Sequence, residues 1–358
     1  MKFEELFKNV VKSDGVSDLH LTVRSKPIIR YNGNLQIYEE YPDVLEIDDL
    51  EELAKDMLSD SLYKDFKEKG EVDFSYSVPG VTRFRVNIYR QRGSVGIALR
   101  VIPQKIPTVD ELGYPTVLKK LALMRMGLVL CTGPTGSGKS TTLAAMINEI
   151  NKQKSKHVLT LEDPIEYLHS HQNCIVHQRE VGVDTKSFAN GLRAALREDP
   201  DVILVGEMRD LETIAIALEA AETGHLVLAT LHTNSAPATI DRIIDVFPPH
   251  QQEQVRIQLA ATINGVISQQ LLPRADRSGR VGAVGILIGT PAVKNVIREG
   301  ESHQLHSIMQ TGSKYGMVVR DNYLLDLFKK DTISKDILLR RADNRKYVEK
   351  RLTSKVNY

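Results

Sequence analysis

The chain has 358 residues, of which 42% are hydrophobic and 26% are charged, a composition typical of a soluble globular protein with two domains. Its 47 basic and 46 acidic residues leave a net charge of +1, which is too balanced for a surface that binds nucleic acid throughout. No run approaches the ~18 apolar residues of a membrane span, the N-terminus lacks an export signal, and two cysteines cannot form a disulfide framework, so we predict a cytoplasmic protein.

Residues 1–102 alternate short strand patterns with charged helical stretches. The segments 18–23 and 81–91 alternate apolar and polar residues, as half-buried strands do, and 46–60 has the pattern of a helix. These patterns predict a small α+β domain. Prolines in residues 103–115 remove backbone donors and disfavour helix, so we place a linker there.

Residues 116–290 contain apolar strand segments separated by helical segments. The strands are predicted at 127–132, 157–162, 202–206 and 225–230. Buried strands that alternate with helices are typical of the α/β class, with a mostly parallel sheet covered by crossover helices. Beyond this core, residues 291–358 have mainly helical patterns.

A phosphate-binding loop follows the first of these strands. The segment GPTGSGKS at 133–140 matches G-x-x-x-x-G-K-[ST] and lies between a strand and a helix, as the chemistry requires. Backbone N–H groups and the helix N-terminus bind phosphate oxygens, Lys139 reaches the β and γ phosphates, and the Ser140 hydroxyl binds Mg²⁺. The predicted nucleotide-binding residues are Gly133, Pro134, Thr135, Gly136, Ser137, Gly138, Lys139, Ser140 and Thr141.

Polar residues after the other three strands are candidates for a catalytic role in nucleotide hydrolysis. Glu207 follows the third strand, where a carboxylate can hold the Mg²⁺ shell or polarise the attacking water. Glu166 closes a cluster of carboxylates that follows the second strand. His232 comes just after the fourth strand. Since ligands bind at the carboxyl ends of strands in open α/β sheets, His232 is placed to sense the γ phosphate.

Together these motifs resemble a known family, the secretion-type hexameric ATPases of type II secretion and type IV pili. GPTGSGKSTT, TLEDPIEY, DPDVILVGEMRD and GHLVLATLHTNSA occur in the family's order and spacing, and the match covers nearly the whole chain. The resemblance implies a PAS-like domain at 1–102 and a RecA-like P-loop ATPase core at 116–290. It also implies a ring in which each nucleotide lies between adjacent subunits, with ATP and Mg²⁺ as cofactors.

Within that family, the sequence is most similar to the pilus retraction ATPases of twitching motility, the PilT type. AVKNVIRE at 292–299 is similar to the subgroup's Ala-Ile-Arg-Asn-Leu-Ile-Arg-Glu motif, and MVVRD at 317–321 departs from its usual Met-Gln-Thr-Met/Leu-Asp. By its own pattern, 292–299 is an amphipathic helix, with exposed Lys294 and Arg298. Its predicted apolar face consists of Ala292, Val293, Val296 and Ile297. The resemblance implies that this helix couples hydrolysis to movement.

The resemblance also implies roles that the residues alone leave open. The family's acidic box makes Glu166 the first choice for the base that activates water, with Glu207 holding the metal-water shell. The sequence allows these two roles to be exchanged. Arginines of the N-terminal domain close over nucleotide in the family, which favours Arg83 and Arg100 as the groups that neutralise charge.

These observations predict an ATP-hydrolysing homohexamer that powers pilus retraction while bound peripherally at the inner membrane. Its expected partners are the platform protein of the pilus and, indirectly, pilin, with no role for nucleic acid. The alternatives are an accessory retraction paralogue and a pilus-assembly or type II secretion ATPase, whose four-cysteine zinc insert is missing here. A nucleotide-binding scaffold without activity is a further alternative, against which the joint presence of Lys139, Glu166 and Glu207 argues.

Overall fold

A computed structural model describes residues 3–13, 15–31, 33–79, 82–102 and 105–353. The parts of the predicted linker at 103–104 and of the predicted C-terminal region at 354–358 lie outside the described residues. The chain divides into two compact units. One comprises the described residues up to Lys105 together with Pro164–Leu168, and the other comprises Ile106–Asp163 and the described residues from His169 onward. No helix in these ranges is long and apolar enough to cross a membrane.

The N-terminal unit combines helices with an antiparallel sheet. Its elements are α1 (Glu4–Lys12), β1 (Val16–Leu21), β2 (Ile28–Tyr31), β3 (Asn34–Ile37), α2 (Ile47–Met57), α3 (Asp60–Lys69), β4 (Glu71–Val78), β5 (Thr82–Gln91) and β6 (Ser94–Val101). The strands lie in the order β3-β2-β1-β6-β5-β4. The predicted helix at 46–60 is shorter than expected, because Ser59 accepts a hydrogen bond from the Leu62 N–H and begins a second helix.

The larger unit contains the remaining helices and strands. They are α4 (Val117–Ala122), β7 (Gly127–Thr132), α5 (Lys139–Gln153), β8 (His157–Glu162), β9 (Ile175–Glu180), α6 (Phe188–Ala195), β10 (Val202–Val205), α7 (Leu211–Glu222), β11 (Leu226–Leu231), α8 (Ala236–Asp245), α9 (Pro249–Thr262), β12 (Ile263–Pro273), β13 (Arg280–Ile288), α10 (Pro291–Glu299), α11 (Leu305–Thr311), α12 (Arg320–Lys329), α13 (Lys335–Arg341) and α14 (Arg345–Thr353). Short 3-10 turns lie at Ser302–Gln304 and Ser313–Tyr315. The C-terminal part is helical, as its sequence pattern predicts.

The sheet of the larger unit has the order β13-β12-β7-β11-β10-β8-β9. Its neighbouring strands are parallel, apart from the antiparallel pair β12 and β13. Every residue of β7, β10 and β11 is buried, because helices cover both faces of the sheet. Alternate residues of β7 enter the two cores: Leu128 and Leu130 pack on one face, Val129 and Cys131 on the other. The predicted α/β class is confirmed.

This topology brings three chain segments to one edge of the sheet. The phosphate-binding loop follows β7, His232 follows β11, and Glu207 comes two residues after β10. In the register, Thr132 lies opposite Leu231 in β11, and Ala229 of β11 lies opposite Val205 in β10. Adjacent strands are ~4.8 Å apart, so the carboxyl ends of β7 and β10 are separated by roughly 10 Å, a distance that one nucleotide phosphate chain can span.

Candidate active site

The phosphate-binding loop, residues 133–140, joins the buried end of β7 to the start of α5. All three of its glycines have backbone conformations that residues with side chains rarely adopt, since φ is +148° at Gly133, +76° at Gly136 and +88° at Gly138. A Cβ at Gly133 would also lie 2.3 Å from the Gln269 carbonyl oxygen, where β12 packs against the loop. The conformation of the loop therefore depends on glycine at all three positions.

Lys139 is the first residue of α5, and its side chain lies over the loop. The ammonium donates hydrogen bonds to the carbonyl oxygens of Gly133 (2.9 Å) and Pro134 (3.3 Å). The first turn of a helix has N–H groups without intrahelical acceptors and carries the positive end of the helix dipole. Positive charge and N–H donors thus converge at this point, next to the half-buried Ser140, in an arrangement that favours phosphate.

Gln269 in β12 attaches the loop to the sheet, and the sequence analysis did not single it out. Its side chain is 0% exposed. Nε2 donates to the Ser137 carbonyl oxygen (2.6 Å), and Oε1 accepts from the Thr142 hydroxyl (2.8 Å) and the Cys131 thiol (3.3 Å). One amide thus connects the strand before the loop, the loop and the helix after it. The sequence held no signal that singles Gln269 out, because the same strand also contains Asn264, Ser268 and Gln270.

Glu207 forms an ionic cluster with Arg209 and His232, which we call the Glu207 cluster. Its Oε1 accepts hydrogen bonds from Arg209 Nε (2.6 Å) and from His232 Nε2 (2.9 Å). The Glu207 side chain is 17% exposed, whereas that of Arg209 is 72% exposed. The structure therefore brings together two of the predicted site residues, Glu207 and His232. Arg209 was not predicted, and its position two residues after Glu207 was the signal in the sequence.

Backbone hydrogen bonds fix the segment that carries Glu207. The Gly206 N–H donates to the Leu161 carbonyl oxygen (2.7 Å), and the Met208 N–H donates to that of Thr230 (3.1 Å). The Thr230 hydroxyl donates to the Gly206 carbonyl oxygen (2.6 Å). A Cβ at Gly206 would lie 3.0 Å from the Leu161 carbonyl oxygen, so glycine lets the chain leave β10 close to β8. Neighbouring strands on both sides thus determine where Glu207 lies.

The surroundings of Glu207 favour its ionised form. Partial burial acts to raise the pKa of this carboxyl group, but hydrogen bonds and charge from Arg209 and His232 outweigh it. The net effect holds the pKa of Glu207 below its usual value of 4.5. A carboxylate in this state accepts hydrogen bonds and attracts cations, and it is a weak base.

The carboxylates predicted at 162–166 are divided between the two units. Glu166 lies in Pro164–Leu168, which groups with the N-terminal unit, and it is exposed. Glu162 ends β8 in the larger unit, where its Oε1 accepts from the Thr160 hydroxyl (2.6 Å) and from Gln178 Nε2 (3.1 Å). Glu162 therefore belongs to the larger unit, and Glu166 groups with the N-terminal unit.

The two arginines suggested by the resemblance lie on adjacent strands of the N-terminal sheet. Arg83 is a half-buried residue of β5. Arg100 in β6 is 67% exposed, and its Nε donates to Asp18 Oδ1 (2.9 Å). Burial acts to raise the pKa of Asp18, but hydrogen bonds from Ser17 and Arg100 hold it below its usual value of 3.8. Arg100 thus has an anionic partner within its own unit.

The predicted amphipathic helix at 292–299 is α10, and two details of the prediction were wrong. Ala292 is exposed, although the other three residues of the predicted apolar face are buried. Lys294 is half-buried and not exposed, because its ammonium donates to the Ala261 carbonyl oxygen (2.8 Å) near the end of α9. The negative end of that helix dipole favours a cation there. Arg298 is exposed, as predicted.

The residues around the loop fit a nucleotide phosphate with Mg²⁺. Two hydroxyl oxygens there, Thr132 Oγ1 and Ser137 Oγ, are buried and have no hydrogen-bond partner within the described part of the chain. Buried polar atoms are almost always satisfied, so a further polar group is expected beside the loop. The Ser140 hydroxyl and the Glu207 carboxylate are hard oxygen donors, the type that Mg²⁺ prefers.

A phosphate-binding loop at the carboxyl edge of a parallel sheet defines a P-loop nucleotide-binding protein. Residues 71–341 match the family described as Type II/IV secretion system protein, and the chain belongs to this family. The chain is 51% identical over 322 residues to the "Type IV pilus retractation ATPase PilT" of Pseudomonas aeruginosa, covering 90% of this chain and 93% of that protein. The family resemblance found in the sequence is confirmed.

Two further similarities cover almost the whole chain. The chain is 42% identical over 344 residues to the "Type IV pilus ATPase PilU" of Pseudomonas aeruginosa, covering 96% of this chain and 89% of that protein. A crystal structure described as the pilus retraction motor PilT with bound ADP has a TM-score of 0.90 and 48% identity, covering 98% of this chain and 99% of that one. Both units of this chain therefore have counterparts in a solved relative.

Proposed function

We propose that this protein is an ATP-hydrolysing motor that powers the retraction of type IV pili. One observation carries the proposal: the phosphate-binding loop, His232 and Glu207 follow three adjacent parallel strands at one edge of the sheet. A nucleoside triphosphate held by the loop has its terminal phosphate directed toward a carboxylate and an imidazole. The names of the two similar proteins, both pilus ATPases, support the connection to pili.

In this mechanism, the loop and the first turn of α5 hold the phosphates, and Lys139 neutralises charge on the β and γ phosphates. Mg²⁺, when bound, adds positive charge at the phosphate oxygens. Ser140 would hold the ion directly, and Glu207 would hold its water shell. The geometry supports that assignment, because Glu207 Oε1 already accepts hydrogen bonds from Arg209 and His232 and is therefore poorly placed to take a proton from water. Glu166 is then the base, and His232 senses the γ phosphate.

The active form in this proposal is a homohexamer with each nucleotide between adjacent subunits. Arg83 or Arg100 of a neighbouring subunit would supply positive charge to the transition state. The proposed domains are 1–102, 103–115, 116–290 and 291–358, and the division of the chain at Lys105 supports the first limit. The motor would dock on the pilus platform protein at the inner membrane and act on pilin indirectly, with α10 coupling hydrolysis to movement.

A second candidate function is that of an accessory retraction ATPase. Similarity to the pilus ATPase PilU over 96% of the chain favours it. A secretion or pilus-assembly ATPase has less support, because the two cysteines present, Cys131 and Cys174, cannot supply a four-cysteine zinc insert.

Gene deletion tests the proposed function directly. Loss of the gene should abolish surface motility and increase the number of surface pili, and a wild-type copy should restore both, whereas a Lys139→Ala copy should not. The purified protein should hydrolyse ATP only with Mg²⁺, with a specific activity that rises with protein concentration as rings form. Normal motility in the deletion strain contradicts the retraction role. Reduced motility with a normal number of pili would favour the accessory function.

A further inference from the structure

Arg320, the first residue of α12, is a charged side chain in an unfavourable place. It is 6% exposed, and it lies at a helix N-terminus, where the dipole disfavours a cation. Arginine is almost never buried to this extent without a partner, and an uncompensated buried charge is strongly destabilising. The contacts of the guanidinium group should therefore explain why an arginine is present.

The guanidinium group connects two segments that are distant in sequence. Nη1 donates to the Asn234 carbonyl oxygen (2.8 Å), and Nη2 forms an ion pair with Asp343 Oδ1. Asn234 belongs to residues 232–235, which we call the His232 loop, and Asp343 lies two residues before α14. Arg320 thus joins the loop that carries His232 to the turn that begins the last described helix.

Asp321 strengthens the second of these connections. Its side chain is 4% exposed and accepts hydrogen bonds from the backbone N–H groups of Asp343 and Asn344, both at 2.8 Å. Two consecutive residues of α12 therefore hold the turn before α14. Of the two, Arg320 also contacts the His232 loop.

The His232 loop is fixed on both sides of Asn234. On one side, His232 Nε2 lies 2.9 Å from Glu207 Oε1. On the other side, the Ser235 side chain accepts a hydrogen bond from the Ala238 N–H (3.3 Å) and caps α8. The bond from Arg320 to the Asn234 carbonyl oxygen lies between these two points. The contact of Arg320 thus lies two residues along the chain from His232.

We propose that Arg320 is a positioning residue that holds the His232 loop in register with Glu207 and, through Asp343, couples the nucleotide site to α14. The proposal rests on the proposed function of His232 at the γ phosphate. Coupling between sites is reciprocal, so a nucleotide that engages His232 should also stabilise the turn before α14. The pair Arg320 and Asp343 then transmits nucleotide state to the C-terminal helices.

Steady-state kinetics of the full-length assembled protein test the positioning role. Arg320→Met keeps an unbranched side chain but removes both contacts, and we expect kcat to fall at least about fivefold while KM for ATP changes less than about twofold. The matched control is Arg340→Met in α13, the same change at a side chain that is 74% exposed and paired with Asp336. The control should leave kcat within about 1.5-fold of wild type. An equal effect of the two variants overturns the proposal.

A double-mutant cycle shows whether Arg320 acts through His232. His232→Ala should lower kcat by itself, and adding Arg320→Met to it should change kcat by less than about 1.5-fold, because the loop then has no imidazole to position. Full additivity means that Arg320 acts elsewhere and overturns the positioning role, while the role of His232 stands. If His232→Ala alone leaves kcat unchanged, both the positioning role of Arg320 and the proposed role of His232 are overturned.

Hydrogen exchange tests the coupling and needs no turnover. In the wild type, Mg²⁺ with a non-hydrolysable ATP analogue should slow the exchange of α14 amides, and Arg320→Met should remove this difference while Arg340→Met keeps it. The same protection in Arg320→Met contradicts the coupling. If Arg320→Met does not assemble, Arg320→Lys keeps the buried positive charge but cannot make both contacts, and it should show a smaller loss of kcat in the same direction.

Discussion

Two regions at the same edge of the sheet hold their polar side chains in different ways. The phosphate-binding loop is fixed from inside the protein, by glycines and by the fully buried amide of Gln269. In the Glu207 cluster, the carboxylate is held by an ion pair with Arg209, whose side chain is 72% exposed, and by a contact with His232. Buried hydrogen bonds persist across conditions, whereas exposed ion pairs are weak and sensitive to salt and pH. The phosphate-binding half of the site thus depends on buried contacts, whereas the side chains of the Glu207 cluster depend on contacts that solvent can reach, on a backbone that is itself fixed by hydrogen bonds.

The largest effect is expected in the phosphate-binding loop, at Lys139. Lys139→Ala removes a charge that acts on the phosphates and not on the core, so ATP turnover should fall by at least about 100-fold while the fold is kept. Phosphate release and thermal unfolding measure the two effects. Lys152→Ala, on the exposed side of the same helix, is the control and should retain activity. A Lys139→Ala variant that keeps a substantial share of wild-type turnover removes the basis of the catalytic assignment.

Glu207→Gln and Glu166→Gln compare the two proposed carboxylate roles. Each variant should bind ATP and hydrolyse it roughly 10- to 100-fold more slowly, because the amide keeps the size of the side chain but loses its charge and basicity. Only Glu207→Gln should also raise the Mg²⁺ concentration needed for half-maximal activity. The reverse pattern in a Mg²⁺ titration would exchange the two roles, and poor ATP binding by both variants would indicate structural roles.

The pH dependence of protein stability tests whether its neighbours keep Glu207 ionised. Because its folded-state pKa is depressed, its ion pairs stabilise the protein above the ordinary pKa near 4.5, and this stabilisation is lost as pH falls through the lower folded value. Arg209 is one of the two side chains that lower the pKa of Glu207. In Arg209→Ala, the loss of stability on acidification should therefore begin at a higher pH. Thermal unfolding between neutral and acidic pH measures the shift. An unchanged acid limb would mean that Arg209 does not stabilise the carboxylate.

A smaller effect is expected when the internal support of the loop is removed. Gln269→Leu leaves the Thr142 hydroxyl and the Ser137 carbonyl oxygen without their amide partner, which should cost about 1–3 kcal/mol of stability and raise KM for ATP. Gln270→Leu is the matched control, since Gln270 Oε1 has no hydrogen-bond partner in the described structure. That variant should leave KM unchanged. Equal KM values in both variants would mean that the loop does not depend on Gln269.

The same contrast explains how much the sequence could predict. The strands and the loop were predictable because apolar runs and the Gly-Lys-Ser motif are local signals, and their shared edge follows from parallel pairing. The contact of Gln269 with Ser137 joins residues 132 positions apart and depends on which strand lies beside β7. No local pattern specifies that neighbour. Lys294 was misjudged for the same reason, because its acceptor is the end of another helix.

The smallest effect on ATP turnover is expected for changes in α10. These changes should instead affect pilus retraction. Replacing Lys294 and Arg298 together with Ala should leave the ATPase rate within a few-fold of wild type. Arg298 is exposed, where changes usually shift stability by about ±0.5 kcal/mol, and Lys294 loses one hydrogen bond, worth about 0.5–1.5 kcal/mol. Pilus retraction in cells should be lost if the helix couples hydrolysis to movement. Motility and phosphate release, measured for the same variants, test this separation.

The single variants sharpen this last test, because the two side chains differ in their surroundings. Lys294→Ala also removes the bond to the Ala261 carbonyl oxygen, so it loosens α10 from α9, whereas Arg298→Ala changes only an exposed residue. Loss of retraction in Arg298→Ala with normal turnover would assign the coupling to a surface that meets a partner. Loss confined to Lys294→Ala would assign it to the packing of two helices. Normal retraction in the double variant would remove the coupling role and strengthen the case for a secretion-type motor.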